Sequence, residues 1–186
     1  MTAITESYLE KLEYLGEGTQ FASTLHRMAP QSPLLENFSL AEIRLLGHFM
    51  RAYRVQPGQT IITEGDSGDF MLVVVTGRIE VSRCDSREVS RVLAVVGPGK
   101  TVGEMSMLDG EPRFATCVAR EPTTICIITR DSLAHVLTQQ PMLGAKVLME
   151  LSLLLSQRLR FTSKRLVDYF DRQRELHDEL QQHGLV

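Results

Sequence analysis

Apolar residues along this chain change their period twice. Over residues 1–48 they recur at helical spacing, with Tyr8, Leu9, Leu12 and Leu15 three and four apart on one face of a helix. Pro30 and Pro33 interrupt that zone. Ser39 and Glu42 then form a capping box directly ahead of Ile43, Leu45 and Leu46. From residue 50 to 129 the pattern becomes short β-rich runs, at 52–55, 60–63, 70–75, 79–82, 89–96, 114–119 and 123–129. Turn residues divide them: Pro57-Gly58, the stretch from Gly65 to Asp69, Thr76-Gly77, Cys84 to Ser86, Gly97 to Lys100, and Glu121-Pro122. Strands this short at nearly regular intervals predict a small antiparallel barrel or sandwich.

Beyond residue 130 the helical period returns. Asp131 is expected to cap a short helix through Leu137, and Pro141 to sit in the first turn of a long one. That helix is expected to run to about Gln182, with Gly184 as its stop. It carries an apolar stripe at about a 3.5-residue repeat, through Leu148, Ser152, Leu155, Leu159, Thr162, Leu166, Tyr169, Gln173, Leu176 and Leu180. Val147, Leu151 and Leu154 make a second apolar edge. The second edge suits the barrel and the stripe suits a partner helix; one broad face packed on its own domain is the alternative. The fold class expected is α+β: an antiparallel β-barrel flanked by N-terminal helices and a long C-terminal dimerisation helix. Its segments are 1–33, 34–140 and 141–186.

Composition narrows the function classes. An apolar fraction of 43% supports a real core. A net charge of −3 gives no global basic field for nucleic acid or an anionic membrane. Uninterrupted apolar runs such as 71–75 and 92–96 fall far short of the ~20 residues that span a bilayer. Glu6 and Glu10 stand where a secretory signal needs a basic start and an apolar core. The expected location is therefore the cytoplasm. Cys84, Cys117 and Cys126 are odd in number and lack C-x-x-C spacing, which reads as free thiols, with Cys117 and Cys126 in core strands. Five histidines show no metal-ligand spacing, and no nucleophile–base grouping stands out locally. The chain does not read as an enzyme, and no cofactor or metal is expected.

Candidate chemistry concentrates in residues 103–116, G-E-M-S-M-L-D-G-E-P-R-F-A-T. Glu104 and Arg113 flank a turn forced by Gly110 and Pro112. Arg113 offers a planar fork for bidentate contact with a phosphate. Glu104, acceptor-only when ionised, suits a ribose 2′-hydroxyl. Backbone N–H groups after Gly103, on Glu104 and Met105, could meet phosphate oxygens if a helix begins there.

Helices, a short-strand barrel, this turn and a long terminal helix together resemble the cyclic nucleotide-binding domain. That domain occurs in catabolite activator proteins, protein kinase A regulatory subunits and cyclic nucleotide-gated channels. The similarity covers roughly residues 34–166. Glu64-Gly65-Asp66-Ser67-Gly68-Asp69 with Gly77 looks like the family turn signature, and Gly103-Glu104 with Pro112-Arg113-x-Ala115-Thr116 looks like its phosphate-binding cassette. The resemblance implies a jelly-roll of about eight strands. It assigns Glu104 to the ribose 2′-hydroxyl, Arg113 to the exocyclic phosphate and Gly103 to close backbone approach. A plain Glu104–Arg113 salt bridge without a ligand is the alternative.

On the long helix, Arg158-Leu159-Arg160-Phe161-Thr162-Ser163 resembles the catabolite activator segment whose Thr and Ser reach the adenine, the Ser from the partner subunit. That resemblance implies Thr162 and Ser163 as base contacts. Either hydroxyl could instead bond back to its own helix. Arg158 reads equally as a ligand contact or as part of a solvated basic face. Two departures stand out. Phe114 replaces the small or hydroxyl residue that usually follows the arginine, which weighs against cGMP. Only His183 to Val186 follow Gln182, where catabolite activators continue into a helix-turn-helix reader of DNA.

The leading expectation is a cyclic nucleotide sensor, with cAMP favoured over cGMP as ligand. It would be a homodimer through the C-terminal helix and would signal to a separate protein partner, without DNA binding by this chain alone. The rivals are a transcription regulator whose reader is absent or supplied in trans, and a ligand-free dimerisation scaffold.

Overall fold

The structure, a computed structural model, describes residues 9–182, with side chains described from 9 to 175. Two compact units emerge, Met1–Glu150 and Leu151–Val186. In chain order the elements begin with β1 (Glu13–Glu17), a 3-10 turn (Gly18–Phe21), α1 (Ala22–Met28), a second 3-10 turn (Ala29–Gln31) and α2 (Leu40–Gly47). Then follow β2 (Arg51–Val55), β3 (Thr60–Ile62), β4 (Phe70–Thr76), β5 (Ile79–Cys84), β6 (Ser90–Val96) and β7 (Thr101–Val102). A six-residue helix α3 (Glu104–Asp109) precedes β8 (Thr116–Ala119) and β9 (Thr123–Thr129). The helices α4 (Arg130–Gln139) and α5 (Pro141–Gln182) close the order.

The strands form two wholly antiparallel sheets, β1-β2-β9-β4-β7 and β3-β8-β5-β6. One apolar cluster draws on both: Tyr53, Val55, Phe70, Leu72, Val74, Ile125 and Ile127 from the first, Ile61, Ile62, Ile79, Cys117 and Ala119 from the second. Alternate residues of β2, β4 and β9 enter that cluster, as the two-residue period of a strand requires. Met71, Val73, Val75, Cys126 and Ile128 are buried too although they face the other way. This double burial explains why β4 and β9 read as continuous apolar runs rather than alternating ones.

The expected N-terminal helices are present as α1 and α2, but the helical reading fails at Leu15. Residues 13–17 pair with β2 as an edge strand, with a register shift between Tyr14 and Gly16. Leu9 and Leu12, ahead of that strand, join the barrel core. The capping box at Ser39 is present in full: the Glu42 N–H donates to Ser39 Oγ, and the Ser39 N–H donates to Glu42 Oε2 at 2.8 Å. At α4 the cap is Thr129, whose hydroxyl accepts from the Ser132 N–H, and not Asp131. α5 begins at Pro141 as expected. Tyr8, Gly184 and the side chains of Leu176 and Leu180 lie outside the described residues. Among the described residues no helix is long and apolar enough to cross a membrane.

Candidate functional site

Two crossings between the sheets meet at one place. The turn from Glu64 to Asp69 leads from β3 to β4, and the segment holding α3 leads from β7 to β8. Backbone bonds zip them together: the Gly65 N–H donates to Arg113 O at 2.9 Å, and the Arg113 N–H to Asp66 O at 2.8 Å. The hydroxyl of Thr116 accepts from the Glu64 N–H at 3.0 Å. The two sequence signatures are thus halves of one structure, and Thr116 of the cassette serves as its clasp.

Arg113 is only 4% exposed. Its Nη1 donates to the carbonyls of Phe70 at 2.8 Å and Gly103 at 3.0 Å, and its Cζ lies 4.3 Å from the centre of the Phe70 ring. Burial pulls its pKa down, and the nearby Asp69 and Glu104 carboxylates act to restore the charged form. Nη2 is buried and makes no hydrogen bond among the described residues. A cation held out of water with an unfilled donor is costly unless something accepts from it. Glu104, 2% exposed, opens α3 directly after Gly103.

Two glycines make room for this arginine. Gly103 has φ +87, and a Cβ there would stand 2.9 Å from both Arg113 Nη1 and Phe70 O. A Cβ on Gly68 would overlap the Arg113 guanidinium. Gly68 belongs to the turn signature, and its part at the site emerges only from the fold. Beside Arg113 lies a crevice lined by Ile61, Ile62, Thr63, Asp66, Ser67 and Phe70, of about 10 Å³. It holds roughly one water.

The structure therefore brings Gly103, Glu104 and Arg113 together. Met105 lies in the first turn of α3 and is 47% exposed. Phe114 points out of the protein, 51% exposed, and Arg83 stacks on it with Cζ 4.0 Å from the ring centre. Arg83 also pairs with Glu64 at 3.3 Å. Arg158, Thr162 and Ser163 occupy exposed positions of α5 in the second unit. Cys117 and Cys126 are buried on β8 and β9, and burial pushes both thiols up to about 12, so they stay protonated at neutral pH.

The two antiparallel sheets and their flanking helices agree with comparisons to known proteins. The profile of the cyclic nucleotide-binding domain matches residues 53–140. A solved cyclic nucleotide-binding domain from Methylobacillus flagellatus KT is 33% identical, with a TM-score of 0.80 over 91% of this chain and 96% of that one. The cyclic AMP receptor protein of Thermus thermophilus is 34% identical over 130 residues, 69% of this chain and 58% of the relative. A cGMP-dependent protein kinase of Eimeria tenella is 42% identical over 82 residues, 44% of this chain and 8% of the relative. This chain belongs to the cyclic nucleotide-binding domain family, and catabolite activator proteins are among its relatives. It spans about half the length of the curated bacterial relatives it matches.

Proposed function

We propose that this chain is a regulatory sensor that binds a cyclic purine mononucleotide, cAMP in preference to cGMP, at Arg113 and Glu104. The observation that carries the reading is the buried guanidinium of Arg113, oriented by two carbonyls and with Nη2 lacking an acceptor. A phosphate oxygen supplies that acceptor. Glu104, at the start of α3, then takes the ribose 2′-hydroxyl. The names of similar proteins cover both cAMP and cGMP, so the preference rests on Phe114, which offers no hydroxyl to a guanine. Arg158, Thr162 and Ser163 are proposed to complete the ligand contacts.

The output of the sensor is assigned to a parallel homodimer through α5 and to a separate protein that reads it in the cytoplasm. Leu159, Leu166 and Tyr169 are 68%, 53% and 56% exposed, which supports an apolar seam open to a partner. The role is regulatory, with no reaction catalysed and no DNA sequence read by this chain alone. The competing reading, a ligand-free scaffold, draws on the narrow crevice at Arg113. A thermal shift with cAMP, cGMP and a cyclic dinucleotide separates the two readings. Ligand at 100 times its Kd adds about 2.7 kcal/mol of stability. No shift with any of the three supports the scaffold.

A further inference from the structure

We propose that the ring of Phe114 is the stacking platform for the purine, with Arg83 stacked on the ring where the purine would lie, a reading that rests on the nucleotide site at Arg113 and Glu104. Phe114 follows Arg113 directly, in place of a small or hydroxyl residue, so the ring is a feature of this chain's own sequence. Arg113 turns into the protein, at 4% exposed, and Phe114 turns out, at 51%. A nucleotide held at its phosphate by the first residue brings its base within reach of the second.

Arg83 shows that a flat group fits on this ring. Its Cζ stands 4.0 Å from the ring centre, within the range of a guanidinium over an aromatic face. Ile79 and Val81 precede it on the same face of β5 and pack in or against the barrel core, so Arg83 carries that face past the edge of the core. Ser82 pairs with Thr116 of β8, which sets Arg83 beside the end of the cassette.

The second contact of Arg83 lets it leave the ring. Its Nε lies 3.3 Å from Glu64 Oε1, and Glu64 Oε2 accepts from the Cys84 N–H at 2.9 Å. The carboxylate is thus fixed by the strand, and a guanidinium that gives up the ring keeps an ionic partner. An exposed cation over a ring contributes less than a nucleobase stacked on one. A purine therefore wins the ring once its phosphate is anchored at Arg113. Every base has a flat face, but a purine covers more of a phenyl ring than a pyrimidine does. The platform favours purines over pyrimidines and does not separate adenine from guanine.

The test is titration calorimetry on the full chain, with cAMP and cyclic CMP as probes. Wild type is expected to bind cAMP more tightly than cyclic CMP. Phe114→Leu keeps an apolar side chain and removes the ring. It should lose about 5–150-fold in cAMP affinity, the scale of one base stack, and lose less for cyclic CMP. Phe114→Tyr, which keeps the ring, should bind both nucleotides as wild type does. Arg83→Gln removes the competitor for the ring and should bind cAMP at least as tightly as wild type. Arg83 and Phe114 are both substantially exposed, so the variants are expected to fold, and circular dichroism checks this. If Phe114→Leu fails to fold, the cAMP affinity of Arg83→Gln decides: undiminished supports the platform, and reduced overturns it. Equal losses for both nucleotides in Phe114→Leu would make the ring a structural brace and overturn the platform. Unchanged cAMP affinity in Phe114→Leu overturns it too and leaves the phosphate site at Arg113 standing. Absence of cAMP binding by wild type overturns both.

Discussion

Arg113 shows how a single residue draws its neighbours into line. Holding a guanidinium in the protein requires fixed acceptors, and the carbonyls of Phe70 and Gly103 provide two. It also requires space, which Gly68 and Gly103 provide by lacking a Cβ. Gly68→Ala is therefore expected to displace the guanidinium and weaken cAMP binding by about 10–100-fold, the scale of one lost hydrogen bond to a charged group. Titration calorimetry checks this, and an unchanged affinity would show that the guanidinium has room to retreat. The motif spacing made Gly103, Glu104 and Arg113 legible in the sequence, since residue type alone identifies an acceptor and a forked donor. The clasp at Thr116 and the space at Gly68 were not legible, because both depend on two segments about fifty residues apart being pressed together. Phe114 was seen as a departure from the family pattern. That Arg83 covers its ring could emerge only once β5 and β8 were paired.

At the scale of elements, most strands announced themselves through β-branched runs between turn residues. The two that did not are β1 and β7. β7 has two residues, too short for any period. β1 is a half-exposed edge strand with a register shift between Tyr14 and Gly16, and Leu9 and Leu12 ahead of it enter the barrel core, so one apolar pattern runs through both. Local pattern lost there to tertiary pairing, as it commonly does at sheet edges.

The capping box of α2 was fully legible, but its second task was not. Glu42 also accepts from Lys146 of α5 at 2.7 Å, while Asn37 donates to Glu150 at 2.9 Å, so the root of α5 is tied to the α2 region. The hydrogen bond from Lys146 and those from Ser39 hold the Glu42 carboxyl at about 2, below its ordinary 4.5. A depressed carboxyl stabilises the folded state fully above its unfolded value and loses that contribution as pH falls towards the folded one. Glu42→Gln should therefore be less stable than wild type at neutral pH. The gap should narrow between about pH 4.5 and pH 2 and close below that range. Urea unfolding across that pH range measures it; a gap independent of pH would contradict the depressed carboxyl.

On the scale of the whole molecule, the sequence called for a β core and a long helix that meets a second copy, and only part of this is visible in one chain. The barrel and α5 are visible. The seam on α5 is a proposal about a second copy, supported by Leu159, Phe161, Leu166, Tyr169 and Phe170 remaining exposed. Leu159→Arg puts a charge into that seam. It is expected to convert a dimer to a monomer in sedimentation velocity at tens of micromolar protein. A wild type that sediments as a monomer would remove the dimer from the account while leaving the nucleotide site intact.

The central claim is that Arg113 is the phosphate contact of a cyclic nucleotide. The most direct measurement is titration calorimetry of cAMP into wild type and Arg113→Ala, with circular dichroism confirming that the variant is folded. Losing one partner of a buried charge pair should cost about 2–5 kcal/mol of binding. The account predicts saturable binding by wild type and a loss of that size in the variant. Equal affinity in the two proteins, or no cAMP binding by wild type, would contradict it.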